Sequence, residues 1–173
     1  MRALVVYESM FGNTRNVALA IAEGIGAAMV VDAVEVSGAP TLVPADVALL
    51  VVGGPTHAHG LSSATSRANA ARRADGIVVS AGSGLREWLA AFQPAAGVVA
   101  AAFDTRIKGP MLFTGSAATS VTKQLQKHIK QVDPPRSFVL DGATGPLTDR
   151  VSKEELAAAR AWGRTLGAQV TSR

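Results

Sequence analysis

Residues 5–14 read Val-Val-Tyr-Glu-Ser-Met-Phe-Gly-Asn-Thr. They pass from a short apolar strand through a polar loop into a helix that apolar spacing predicts over 13–25. The first backbone N–H groups of a helix are unpaired and lie at the positive end of its dipole. Because the loop also carries hydroxyl groups and Gly12, it predicts an anion site at this helix N-terminus.

A plainer interpretation of the same loop stays open at this point. In it, Asn13 or Thr14 only caps the helix and Gly12 is an ordinary turn residue. The loop has no Lys or Arg before Arg15. The anion hypothesis is therefore that neutral donors hold a phosphate monoester belonging to a larger ligand.

The amino-acid composition indicates a globular protein and argues against several other classes of protein. The 173 residues are 48% hydrophobic and 17% charged, which predicts a single globular domain spanning 1–173. Cysteine is absent, which excludes disulfides, thiolate chemistry and Cys-ligated metals. A net charge of +4 without a basic–aromatic pattern does not indicate a nucleic-acid binder. With no signal-peptide layout and no apolar run long enough for a membrane span, we expect a cytoplasmic protein.

Hydrophobic periodicity predicts five strands that alternate with helices. The expected strands are 3–7, 28–36, 47–52, 97–103 and 136–140, and the expected helices are 13–25, 85–92, 116–129 and one that begins at a capping box on Ser152. Residues 61–76 show little apolar periodicity, and we expect them to form a long, partly ordered excursion. This alternation predicts an α/β fold with a doubly wound five-stranded parallel sheet. Ligands of such sheets bind beyond the carboxyl ends of the strands.

Three loops are expected at that end of the sheet, formed by residues 8–14, 53–60 and 104–110. The second reads Gly-Gly-Pro-Thr-His-Ala-His-Gly and the third Asp-Thr-Arg-Ile-Lys-Gly-Pro. Their glycines, imidazoles and guanidinium group suit a planar polar ligand. His57 and His59 are half of a possible metal site, but the sequence offers no third ligand nearby, so no metal is predicted.

The motifs at 7–14 and 54–60 together resemble the flavodoxin-like family of FMN-binding proteins. The resemblance covers essentially the whole chain and implies strand order 2-1-3-4-5, with a single uninterrupted last strand. It implies FMN as the cofactor, its phosphate in the first loop and its ring between the second and third loops. The flavin would carry the redox chemistry, so no side chain is expected to be catalytic. The implied binding residues are Ser9, Met10, Phe11, Gly12, Asn13, Thr14, Pro55, Thr56, His57, Ala58, His59, Gly60, Phe103, Asp104, Thr105 and Arg106.

The resemblance implies electron transfer or flavin-dependent reduction, as an electron carrier or as a small oxidoreductase. The alternative is a binding or regulatory module that has the same fold but no functional flavin. Expected partners are redox donor and acceptor proteins or a small-molecule electron acceptor. Electron-shuttle flavodoxins are acidic, whereas this chain is basic, so we expect a partner with an acidic surface or an anionic ligand. The cations behind this expectation are a predicted helical stripe of Lys123, Lys127 and Lys130, and Arg67, Arg72, Arg73 and Arg86.

Overall fold

A computed structural model of the protein describes residues 1–57, 60–73, 78–109, 115–142 and 147–172. The strands are β1 (Arg2–Tyr7), β2 (Val30–Glu35), β3 (Val47–Pro55), β4 (Val99–Ile107), β5 (Lys130–Gln131) and β6 (Arg136–Leu140). The α-helices in these ranges are α1 (Asn13–Ile25), α2 (Ala64–Arg73), α3 (Leu85–Ala91), α4 (Ala117–Leu125) and α5 (Lys153–Thr171). A short 3-10 helix at Val36–Gly38 follows β2.

The strands form one parallel sheet with the order β2-β1-β3-β4-β5, which confirms the predicted fold class and strand order. A sixth strand is attached at the edge, because β6 also pairs with β4. β5 pairs with the start of β4 and β6 with its carboxyl-terminal half. The expectation of a single uninterrupted last strand is therefore wrong. Pro134 and Pro135 lie between the two segments, and proline has no N–H to donate to a strand ladder.

Both central strands are longer than their apolar runs predict. β3 continues past Val52 to Pro55, and β4 continues past Phe103 to Ile107. Residues 53–55 pair with residues 103–105, so the sheet neighbours supply hydrogen-bond partners that the local composition does not reveal. A side chain at Gly53 would overlap the ring of Phe103. As a result, residues 104–106, expected in a loop, lie on a strand.

The helices agree with the sequence where an apolar stripe marks them. α1 has the predicted bounds, α3 ends one residue early, and Ser152 caps α5 by accepting the backbone N–H of Glu155 at 3.1 Å. The helix expected over 116–129 ends at Leu125, because a turn and β5 follow. Lys130 therefore lies on a strand, and the lysines do not share one helical stripe.

The sequence interpretation misses α2, which lies within the excursion expected at 61–76. Ala70 is the one buried residue of this helix, so its sequence shows no apolar periodicity. Its start is nevertheless capped, since Ser63 and Ser66 exchange side-chain and backbone hydrogen bonds of 2.8 and 3.2 Å. Capping and residues of high helix propensity therefore stabilise α2, although it has no apolar stripe that would predict it.

Helices cover both faces of the sheet. On one face, α1 and α5 pack over alternate strand residues, including Val5, Val51 and Phe103. On the other face, α3 and α4 pack over the intervening residues, such as Val6 and Val52. Both faces of the central strands are thus buried, as their nearly continuous apolar sequences predict.

α1 and α5 approach closely through two glycines. A methyl group on Gly24 would overlap the carbonyl oxygen of Arg160, and one on Gly163 would overlap that of Ile21. Gly24 therefore lies inside α1 for packing reasons, although glycine more often follows the end of a helix. Gly26 provides the C-cap instead.

We expect Gly163→Ala to lower the free energy of unfolding by about 1–3 kcal/mol, because overpacking forces backbone to move. The matched control is Gly38→Ala, where the nearest atom to an added methyl group is Val34 Cγ1 at 3.8 Å. Urea denaturation of both variants measures the difference. Equal stability of the two variants would contradict the close helix contact.

Candidate functional site

Backbone donors are open at the N-terminus of α1. Gly12 is the N-cap residue, with a φ of 85°, and its position supplies no side-chain cap. Within the described ranges, the backbone N–H groups of residues 10–14 have no hydrogen-bond acceptor. A methyl group on Gly12 would overlap no described atom, and its nearest neighbour would be Nη2 of Arg15 at 3.9 Å. Unpaired donors at the positive end of a helix suit a phosphate-type anion.

The hydroxyl groups predicted to bind this anion have protein partners. Ser9 is buried, and its hydroxyl accepts the backbone N–H of Arg15 at 3.2 Å. Thr14 is also buried, and its hydroxyl lies 2.7 Å from the hydroxyl of Thr105. A hydroxyl that accepts one hydrogen bond still has its own proton to donate. The donors left fully open at this helix end are main-chain groups.

Asn13 ties the start of α1 to the segment before α5. Its side-chain amide donates to the carbonyl oxygen of Leu147 at 2.8 Å, and its oxygen accepts the backbone N–H of Arg150 at 2.9 Å. The interpretation in which Asn13 or Thr14 caps α1 is wrong, because both residues lie inside the helix and bond to other segments. These contacts hold the first turn of α1 against the neighbouring loop.

The carboxyl group of Asp104 joins the end of β3 to the start of α4. This residue is fully buried, and its Oδ2 accepts hydrogen bonds from Ser116 Oγ at 2.6 Å, Ala118 N at 3.0 Å and Thr56 Oγ1 at 3.1 Å. The Thr56 N–H donates to the carbonyl oxygen of Thr105 at 2.9 Å. In the described part of the chain, Oδ1 of Asp104 has no partner. The buried Asp104 carboxyl group therefore holds the loop after β3 against the start of α4.

His57 lies two residues after β3 and pairs with Gly60. Its N–H and C=O exchange hydrogen bonds with Gly60 of 2.8 and 2.9 Å. Burial lowers the pKa of the His57 imidazole below its ordinary value of 6.5; Glu8 opposes this shift, and Arg67 reinforces it. The imidazole is therefore neutral at pH 7, with one nitrogen available as a hydrogen-bond acceptor.

Glu8 is a buried residue to which the sequence interpretation assigns no role. Its side chain is 1% exposed, and its Oε2 accepts the backbone N–H of Leu85 at 2.8 Å, at the start of α3. Oε1 has no partner among the described residues. An acidic residue directly after a buried strand is the signal that could have identified it, because buried carboxyl groups need partners.

Two of the arginines expected to form a basic surface instead hold the loop after β3. Arg67 donates to Ser62 and pairs with Glu87, both at 3.0 Å. Arg86 donates to the carbonyl oxygens of Leu61 and Ser62 at 2.9 and 3.1 Å. These side chains fasten the loop to α2 and α3, so they contribute less positive charge to an open surface than the sequence suggests.

The structure does not bring all predicted site residues together. The Phe103 side chain is fully buried and contacts the edge of Phe138, so it belongs to the core. Arg106 donates to the carbonyl oxygen of Gly109. Met10 is buried, Phe11 is partly buried, and Ala58 and His59 lie outside the described residues. The predicted residues that contact one another across loops are Thr14 with Thr105, Thr56 with Asp104, and Pro55 with Thr105. Ser9, Gly12 and Asn13 lie in the loop and first turn that lead to Thr14.

In the described ranges, no three His, Cys, Asp or Glu side chains gather as metal ligands would. None of the described helices combines the length and the apolar character needed to cross a bilayer.

Asp104→Ala should lower the free energy of unfolding by about 1–3 kcal/mol, because it leaves buried donors without an acceptor. Asp104→Asn keeps one acceptor oxygen and should lose less. Asp141→Ala, at an exposed position, is the control. Chemical denaturation that gave equal stability for the alanine variants at 104 and 141 would contradict this positioning role.

Protein-family models and curated protein sequences give no match to this chain. Solved structures do match. Flavodoxin 1 from Bacillus cereus superimposes with a TM-score of 0.67 at 15% identity, over 100% of this chain and 99% of that one. A flavodoxin from the domain Archaea gives a TM-score of 0.63 at 18% identity, over 99% of both chains.

A part of one longer protein also superimposes on this chain. Rubredoxin oxygen:oxidoreductase from Desulfovibrio gigas matches 99% of this chain with 36% of its own length, at a TM-score of 0.61 and 12% identity. The TM-scores, together with nearly complete coverage of both flavodoxin chains, assign the architecture. The chain therefore has the flavodoxin fold.

Proposed function

We propose that this chain binds FMN non-covalently and uses it in electron transfer or flavin-dependent reduction in the cytoplasm. The observation that carries the proposal is the set of unpaired N–H groups of residues 10–14, at the N-terminus of α1. This set lies at the carboxyl end of β1, which is the end of a doubly wound sheet where ligands bind. Flavodoxins among the matching structures support the choice of flavin.

The donor set fits the phosphate of FMN. The N–H groups of residues 10–14 would hold its oxygens, and the space over Gly12 admits a group that a side chain would exclude. Ser9 would keep its present partner and donate its own proton, and Thr14 would do the same when Thr105 is the donor of their shared hydrogen bond. Asn13 would keep the first turn of α1 in place through its bonds to Leu147 and Arg150.

The ring would lie against the ends of β3 and β4. Main-chain groups of residues 55–60 and 103–106 would contact it, and the neutral His57 imidazole could pack on it or accept a hydrogen bond. Asp104 would not need to contact the ring, because its role would be to keep Thr56 and the start of α4 in place. When bound, the flavin supplies the redox chemistry, and the protein sets its position and electrostatic surroundings.

A second candidate function keeps the fold without a working flavin. It is favoured by the burial of Ser9, Asn13 and Thr14, whose side chains already bond to the protein. In this candidate, those bonds only stabilise a binding or regulatory module. Flavin absorbance of the purified protein, and its recovery when FMN is added, distinguish the two functions.

Gly12→Ala should raise the Kd for FMN about tenfold or more and leave riboflavin binding nearly unchanged. The methyl group would enter the proposed phosphate site, and each lost hydrogen bond to a charged group is worth about 1.5–3 kcal/mol. Gly97→Ala is the matched control, because Gly97 also has a positive φ, of 79°, and nothing lies near an added methyl group.

Fluorescence titration of the flavin-free protein measures both ligands. Equal losses for FMN and riboflavin at Gly12→Ala would place the phosphate elsewhere. A wild-type protein that binds neither ligand would favour the module without a flavin.

We also propose that the redox partner presents an acidic surface to a lysine patch formed by Lys123, Lys127 and Lys130. All three side chains are exposed, on the last turn of α4, in the following turn and on β5. Lys127 donates to Gln124, and no ion pair among the described residues involves the patch. Complementary charge of this kind raises the rate of encounter more than the final affinity.

Reversing the patch with Lys123→Glu, Lys127→Glu and Lys130→Glu should slow reduction by such a partner. The effect should be greatest at low salt and fade as the Debye length falls below about 8 Å. Lys153→Glu with Arg164→Glu, on α5, is the control. Stopped-flow rates that fall equally per reversed charge in both variants would show that net charge, and not the patch, is responsible.

A further inference from the structure

We propose that Arg15 contacts the ligand at the N-terminus of α1 and selects a phosphorylated ligand by charge. This inference rests on the proposed binding of FMN and adds a charged contact to it. The sequence predicts neutral donors alone at this site, because the first loop has no basic residue before Arg15. The structure brings the guanidinium group back over that loop.

The position of Arg15 follows from helix geometry. Arg15 lies in the first turn of α1, and its backbone N–H donates to the Ser9 hydroxyl at 3.2 Å. Side chains on a helix lean toward its N-terminus, so a long side chain here reaches back over the preceding residues. Nη2 of Arg15 lies 3.9 Å from the position that a Cβ on Gly12 would occupy. The guanidinium group thus lies beside Gly12, in the middle of the run of residues whose N–H groups are unpaired.

The charges at this helix end are unbalanced. A cation beside the positive end of a helix dipole is repelled by it. The first turn of α1 has no acidic residue, and among the described residues the ion pairs are made by Arg2, Arg67 and Arg160. An anion in the space between Arg15 and the N–H groups would remove this repulsion. A guanidinium fork can bind two phosphate oxygens at once, in addition to the main-chain donors.

Arg15 is suited to mutation because its side chain is exposed, so its replacement should leave the fold intact. Arg15→Gln removes the charge but keeps hydrogen-bonding groups, and Arg15→Lys keeps the charge but removes the planar fork. Arg164→Gln, at an exposed position on α5, is the matched control for the loss of one positive charge. Circular dichroism melting curves check that all variants are folded.

Titration of the flavin-free protein with FMN and riboflavin tests the inference. Arg15→Gln should raise the Kd for FMN about tenfold, as the loss of one charged hydrogen bond predicts, and change riboflavin binding less than about twofold. Arg15→Lys should fall between wild type and Arg15→Gln, and Arg164→Gln should match wild type. Added salt should weaken FMN binding more in wild type than in Arg15→Gln. An unchanged Kd for FMN in Arg15→Gln would overturn the assignment.

Inorganic phosphate separates this assignment from the function on which it rests. Phosphate should shift the amide NMR resonances of residues 10–15 in wild type, with a much smaller shift in Arg15→Gln. If wild type binds neither flavin and phosphate still gives this difference, the FMN proposal fails and the role of Arg15 stands. If neither flavin binds and phosphate shifts wild type and variant alike, or shifts neither, both proposals fail.

Discussion

The pairing of β3 with β4 through residues 53–55 and 103–105 is the constraint on which the candidate site depends. It brings Thr56 beside Asp104 and sets Thr105 opposite Thr14 on α1. Parallel strands end at the same edge of a sheet, so one register places three loops together. If β3 stopped at Val52, the polar residues that follow would have no fixed relation to α1. The register in turn needs glycine at position 53, because the Phe103 ring fills the space of a side chain.

The proposed anion site at the N-terminus of α1 depends on the packing of this helix against α5. Gly24 and Gly163 let α1 and α5 approach until backbone atoms nearly touch. At the other end of α1, Asn13 bonds to the segment that leads into α5. Both contacts join the same two elements, so the direction of α1 is fixed along its length. Its unpaired N–H groups therefore have a fixed position at the edge of the sheet.

Acceptors and donors are separated within the site. The carboxyl groups of Glu8 and Asp104 are buried beneath the loops, and each has one oxygen without a partner in the described part of the chain. The helix end near Gly12 instead combines open N–H groups with the Arg15 guanidinium. A ligand with an anionic end suits this polarity. The carboxyl groups organise the loops through Leu85 and α4, so their main contribution is to hold the backbone in place.

The sequence by itself determined the α/β class and the bounds of α1 and β6, because continuous apolar strands and a 3.6-residue stripe are local signals. The strand order was implied by the resemblance of the motifs at 7–14 and 54–60, and the sheet has that order. The sequence also predicted the polar loop at 8–14 that leads into α1, where the anion site is proposed. Only the tertiary structure decided where β3 and β4 end, since the ladder partners come from distant segments. The same holds for α2, whose exposed residues carry no periodicity, and for Phe103, which the fold places in the core. Buried Glu8, the three-way contact of Asp104 and the return of Arg15 over Gly12 likewise depend on packing between residues far apart in the chain or on side-chain direction.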